Sequence, residues 1–184
     1  MMHSMTLYGP AGVAAVSLAV LLAACWDLLY RRIPNRLTAA LLGLWITVSI
    51  WTAAVGGQAA FPPPGMAQGA GCAAAVLAAG FLLFCMGAVG AGDVKMAAVL
   101  CLWLGDGSVA FLLATSLAGG LLIMQLPLLR QMETRLAVIA ARIPAVPSGR
   151  RQVPNILLGK NPQGIPYGPA IAMGTFFTML RAWF

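Results

Sequence analysis

From Leu37 to Gly92 the chain runs for 56 residues without a single Asp, Glu, Lys or Arg. No soluble domain of this size can hide such a stretch. Three shorter uncharged runs repeat the pattern: Ser4–Trp26 (23 residues), Gly107–Leu129 (23) and Asn161–Leu180 (20). A helix needs about 20 apolar residues to cross a bilayer, so each short run fits one crossing. The long run fits two, because "GGQAAFPPPGMAQG" breaks its middle with glycine and proline. A sixth candidate, Asp93–Leu104, is apolar after Lys95 and stops at the turn-like "GDGS". Its twelve residues reach only ~18 Å at ~1.5 Å each, so it must borrow residues upstream or begin below the membrane surface. Composition agrees: charged residues are 8% of the chain, against about 25% in soluble domains. The expected fold class is an all-α polytopic membrane protein with six spans, residues 1–184 forming one membrane-embedded domain.

Charge orients the bundle. Arg31, Arg32 and Arg36 follow the first span and Lys95 the third; Arg130, Arg135, Arg142, Arg150, Arg151 and Lys160 lie between the fifth and sixth. Six spans put these ten on one face and only Arg181 on the other. The positive-inside rule makes the basic face cytoplasmic and places both termini outside. The net charge of +7 is therefore a topology signal, and nucleic acid is not an expected partner. "LLAAC" at 21–25 has the look of a lipoprotein box, but Met1–Pro10 carries no Lys or Arg, so a retained helix is expected. Cys25, Cys72, Cys85 and Cys101 form no C-x-x-C pair, which suggests neither a metal site nor a redox pair. No cofactor is implied.

The basic stretch 130–160 reads as the cytoplasmic loop. Within it Met132, Leu136, Ile139 and Ile143 recur at helical spacing around Arg135 and Arg142. That spacing suits either a short amphipathic helix on the inner leaflet or an extension of span five ending at Pro144. "RRIPN" at 31–35 and "RRQVPN" at 150–155 each mark a proline-terminated approach to a helix. The last span opens with "NPQGIPYGPAIAMG", three prolines and three glycines in fourteen residues. Such backbone survives at membrane depth only where protein or water covers its polar groups, so a cavity near the cytoplasmic face is expected.

Only four acids are present, and two of them sit at the cytoplasmic ends of spans: Asp27 in "CWDLLYRRIPN" and Asp93 in "GAGDVKM". A structural reading is available for both. Asp27 precedes Arg31 by four residues, the spacing of a helical ion pair, and Asp93 follows glycine and could cap its helix. Asp106 in "LGDGS" reads as an exposed turn residue, and Glu133 as a solvated neighbour of Arg130 and Arg135. The chemical reading takes Asp27 and Asp93 together. Ionisable groups at membrane depth are costly and are functional suspects by default. Two carboxylates in contact share a proton; one can take a proton from water while the other polarises a carbonyl. Gly90 and Gly92 would loosen the helix and let backbone and water approach Asp93.

"GAGD" at 90–93 matches the G-x-G-D motif of intramembrane-type aspartyl proteases. "WDLLYRRIPN" at 26–35 resembles the first catalytic block of type IV prepilin peptidases, an aspartate followed by I-P-N. "GDVKM" at 92–96 and "IPYGPAIAMG" at 165–174 resemble that family's second and final-helix blocks, in the same order. The resemblance implies an aspartic endopeptidase of the bacterial inner membrane. It would cleave leaders from prepilin or pseudopilin precursors at the cytoplasmic face, for pilus or type II-like secretion assembly. It carries Asp27 and Asp93 over as the catalytic pair, Gly90 and Gly92 as the motif glycines, and Lys95, Pro34, Asn35, Pro166, Gly168 and Pro169 as supporting residues. Large bifunctional members also methylate the new N-terminus, using a domain with paired C-x-x-C motifs. This chain has no such pairs and resembles the short peptidase-only form associated with Flp/Tad-type pili. The rival class is a small transporter or channel component, since Gly- and Pro-interrupted helices with buried carboxylates also describe ion sites. Against it stand the lack of a repeated half and the placement of both acids on one face.

Overall fold

In the computed structural model the described residues are 9–55, 65–125, 131–132, 134–138 and 166–181. They form helices α1 (Gly9–Tyr30), α2 (Asn35–Val55), α3 (Met66–Cys85), α4 (Ala91–Leu104), α5 (Ser108–Met124) and α6 (Gly168–Arg181), with a 3-10 turn at Gly105–Gly107. No strand occurs among them. Four helical stretches are long and apolar enough to cross a membrane: Ala11–Tyr30, Asn35–Ala54, Met66–Cys85 and Ala91–Met124.

The last of these, 34 residues long, is folded in two. Gly105 has φ +51° and ψ −116°, a backbone conformation essentially reserved for glycine that costs a residue with a Cβ ~1–3 kcal/mol. Ser108 Oγ donates to the carbonyls of Gly105 (2.6 Å) and Cys101 (2.8 Å), closing the reversal. Helix α4 gains Ala91 and Gly92 over the sequence expectation, yet its 14 residues span only ~21 Å. That is short of the ~30 Å hydrocarbon core.

Pairings fix the directions. Gly69 meets Cys101 and Gly105, while Gly80 meets Val94, so α3 and α4 are antiparallel. Gly107 faces Thr178, Gly119 faces Tyr167 and Gly174 packs on Thr115, so α5 and α6 are antiparallel too. The α5–α6 contact is made of glycine, alanine and threonine, the small-residue packing that lets membrane helices approach closely. Helix α2 runs alongside α4: the Trp45 indole donates to the Leu102 carbonyl (3.0 Å) and the Trp103 indole to the Leu41 carbonyl (3.1 Å).

Val16, Val20, Met96, Leu100, Phe111 and Ile171 are fully buried along the centre of the bundle. Ile50, Trp51, Phe81, Leu82, Leu113, Leu117, Phe177 and Leu180 lie exposed around it. Large apolar side chains inside and out are what a bundle solvated by lipid requires.

Helix α1 begins with Pro10 in its first turn, where a missing N–H costs nothing. It runs past the expected Trp26 to Tyr30, which places Asp27 in its last turn. Arg31 then adopts φ +54°, the left-handed stop usually given to glycine, and its N–H bonds back to the Asp27 carbonyl (2.8 Å). Pro34 disfavours helix at the residue before it and opens α2, its carbonyl accepting from Leu37 N–H (3.0 Å).

The stretches 131–132 and 134–138 are helical. Leu136 packs on Leu28, Ala118, Leu122 and Ala170, and Met132 is exposed. Glu133, Ile139, Arg142, Ile143 and Pro144, the rest of the basic loop, and both termini lie outside the described residues.

Candidate active site

The ends of α1, α4, α5 and α6 that carry Asp27, Asp93 and Tyr167 meet at one end of the bundle. Asp27 is 5% exposed. Its Oδ2 accepts the backbone N–H of Gly168 at 2.7 Å, and the Tyr167 N–H also donates to its carboxylate. These are the first donors of α6, whose helical bonding starts with Ile171 N–H to the Tyr167 carbonyl (3.1 Å). The opening N–H groups of a helix have no partners within it, and a carboxylate there also meets the positive end of the helix dipole. The proline-rich opening has a local logic. Pro169 sits inside the first turn, where its missing donor is not needed. Gly168 lets the chain come close: a Cβ there would lie 2.8 Å from Asp27 Cβ, 3.1 Å from Oδ2 and 3.2 Å from Ala24 Cα.

Asp93 occupies the first turn of α4 and is half-buried. Its carboxylate lies within electrostatic reach of the Gly90 N–H, on the capping side of the helix at the third helical position. A Cβ on Gly90 would stand 2.9 Å from Asp93 Oδ2. Gly92 admits the α1–α2 connection, since a Cβ there would lie 3.2 Å from the Cβ of buried Ile33. That contact seats the start of α4 against the end of α1. The two carboxylates, 66 residues apart in sequence, are thereby close enough to act on each other electrostatically.

Helix α3 extends beyond the level of the site. Gly80 of α3 lies opposite Val94, and α3 continues to Cys85. Five more residues at ~1.5 Å each carry it ~8 Å beyond the level of Val94. The overhang is ringed by exposed Phe81, Leu82, Leu83 and Phe84.

Of the supporting residues, Gly90, Gly92 and Gly168 are brought to the carboxylates, and buried Pro166 and half-buried Pro169 flank the Gly168 donor. Pro34 shapes the connection; Asn35 is exposed at the start of α2. Lys95 is exposed, and two residues of helix turn it ~200° from Asp93. Arg31 stays within electrostatic reach of Asp27 but stands outside the regular helix, so the pair is not the helical i, i+4 pair its spacing suggested. Sequence reasoning missed Tyr167, which acts through its backbone, and Ile33. The one signal for the first was the unusual density of proline and glycine around it.

A polytopic helical membrane protein with paired carboxylates at one end fits more than one class. Comparison decides among them: the sequence matches the type IV leader peptidase family over residues 14–124. That is more than half of the chain and includes both aspartates. The protein belongs to this family, and it is a leader peptidase-type protease of the membrane, not the transporter component that was the rival expectation. The match covers α1 to α5 and stops short of α6, the helix that holds Asp27. No curated protein and no solved structure matches the chain.

Proposed function

We propose that the protein is an aspartic endopeptidase in which Asp27 and Asp93 form the catalytic dyad. It cleaves leader peptides from prepilin or pseudopilin precursors at the cytoplasmic face of the bacterial inner membrane. The observation that carries this reading is that Asp27 and Asp93, on two different helices, lie within electrostatic reach of each other, with Asp27 held by a backbone donor of a third. Two carboxylates so placed hold one proton between them. The ionised member takes a proton from water as its oxygen attacks the scissile carbonyl, and the partner gives its proton to the carbonyl oxygen. Collapse of the tetrahedral intermediate returns a proton to the leaving amine and restores the pair. Water is consumed, and a leader acid and a new N-terminal amine are released.

The six-span arrangement supports the cytoplasmic placement. Arg31, Arg32, Arg36 and Lys95 lie at the dyad end of the bundle, and Arg181 closes α6 at the other end. The positive-inside rule then turns the dyad toward the cytoplasm.

Membranes carrying wild type, Asp27→Asn or Asp93→Asn are incubated with a prepilin and scored for the leader-sized shift. Both variants lose cleavage at normal abundance in the membrane, while Asp106→Asn and Glu133→Gln keep most of it. An acid–base group contributes ~10²–10⁴-fold, and losing either carboxylate is about as damaging as losing both. An asparagine caps a helix as well as an aspartate, so a purely capping Asp93 would leave Asp93→Asn active. An active single variant would sink the dyad.

A further inference from the structure

We infer that Gly168 is a positioning residue for the Asp27 carboxylate, acting through its backbone N–H and through the side chain it lacks. The inference rests on the dyad proposed above and adds to it a part played by the last helix. Free rotation is the problem it solves. The terminal torsion of an aspartate is soft, and a base must meet its proton within about 2.6–3.2 Å. Asp27 lies in the last turn of α1, immediately before Arg31 leaves the helix, so its own helix offers little beyond the torsion to hold it.

Three observations bear on the donor. The Gly168 N–H is 2.7 Å from Oδ2, and Tyr167 N–H supports the same carboxylate, so two donors on successive residues clamp one group. Gly168 and Asp27 are so close that any Cβ on residue 168 would press on Asp27 Cβ at 2.8 Å and Ala24 Cα at 3.2 Å; glycine is the only residue whose N–H can come this near. The clamp is also rigidly mounted. Ala170, Ile171 and Thr175 of α6 are buried to 2% or less, so the helix start cannot drift from Asp27 without disturbing the core. With Oδ2 tied to α6, the orientation of the carboxylate toward water and Asp93 is set by the fold and not by the torsion.

Two variants separate positioning from packing. Replacing Gly168 by glycolic acid through nonsense suppression turns its amide into an ester, which deletes the N–H and adds no atom. The expected result on full-length protein is a fall in kcat of ~10–10²-fold, the scale of a misplacement near 1 Å, with KM within about twofold and the protein still folded and inserted. Gly168→Ala should lower kcat at least as far. Gly107→Ala is the comparator: its Cβ would meet Thr178 Cγ2 at 2.9 Å on the same α5–α6 interface, remote from the carboxylates. It should lower stability and leave the kcat of the folded protein intact. If Gly168→Ala fails to insert, the ester variant decides alone. An ester variant with wild-type kcat, measured where Asp27→Asn is inactive, overturns the positioning role and leaves the dyad standing. Cleavage by Asp27→Asn overturns both.

Discussion

Gly80→Ala is a small change that should reach Asp93 through one contact. The added methyl would press on Val94 Cγ1, with Cγ2 at 2.8 Å and Cβ at 3.1 Å. Carbon atoms settle at ~3.5–4.0 Å, so the overlap approaches 1 Å against Cγ2 alone. Val94 cannot swing aside, because a β-branched side chain in a helix has essentially one rotamer. The strain must instead part α3 from the start of α4, where Asp93 adjoins Val94. Overpacking of this kind costs ~1–3 kcal/mol, and a shift near 1 Å in a reacting group can cost ~10²-fold in rate. Val94→Ala removes two methyl groups at ~0.8 kcal/mol each, about 1.6 kcal/mol, and relieves the overlap down to the 3.1 Å approach of the two Cβ atoms. The double variant Gly80→Ala/Val94→Ala should therefore be more stable than the sum of the singles implies, with a coupling of ~1–3 kcal/mol, and should recover cleavage relative to Gly80→Ala. Reversible SDS unfolding in mixed micelles gives the stabilities, and prepilin cleavage gives kcat. A neutral Gly80→Ala, or strict additivity in the cycle, would show that Gly80 and Val94 are not in the contact described.

Asp27→Ala strips the acceptor from two backbone donors, Gly168 and Tyr167, whereas Asp27→Asn keeps an acceptor oxygen. At ~1–3 kcal/mol for each buried donor left unpaired, SDS unfolding should find Asp27→Ala at least ~1 kcal/mol less stable than Asp27→Asn; equal stabilities would deny that the carboxylate holds α6. Gly105→Ala should cost ~1–3 kcal/mol for a Cβ in a glycine-only backbone conformation and leave kcat unchanged, because the turn is at the end of α4 opposite Asp93; a large loss of kcat would contradict that separation. For orientation, native cysteines are replaced and single cysteines placed at Arg36 and Met66. An impermeant maleimide should label Arg36→Cys only from the cytoplasmic side and Met66→Cys only from outside, and the reverse pattern would put the dyad on the wrong face.

The helices were legible because lipid makes run length the dominant signal. Leu37–Gly92 had to hold two helices, and α2 and α3 fill it. The shortness of α4 was legible for the same reason, and the reversal at "GDGS" could be read from its glycines, one of which takes the positive φ that the turn needs. Side-chain spacing was a poorer guide. Asp27 and Arg31 stand four apart, but Pro34 disfavours helix just before it and Arg31 turns left-handed, so the helix ends within that spacing and Arg31's side chain leaves at a non-helical angle. The strongest hold on Asp27 comes from backbone N–H groups 141 residues away, and a backbone donor leaves no letter in the sequence. Only the density of proline and glycine around Gly168 hinted at it.

At Asp93 a capping position and the proposed catalytic role need not compete. Its carboxylate lies within reach of the Gly90 N–H at the head of its own helix, near the capping position the structural reading pointed to. Asp27 is held by the head of another. A carboxylate fixed by helix N-termini has its orientation set by backbone, and only such fixed groups can be aimed at one another across two helices. Capping is thus the means by which each acid would be held for chemistry, and stability and activity part only when the charge is removed while the cap is kept. Asparagine makes that separation at Asp93, where a single N–H must be accepted. At Asp27 two donors must be met, so Asp27→Asn should show a small stability loss that Asp93→Asn does not.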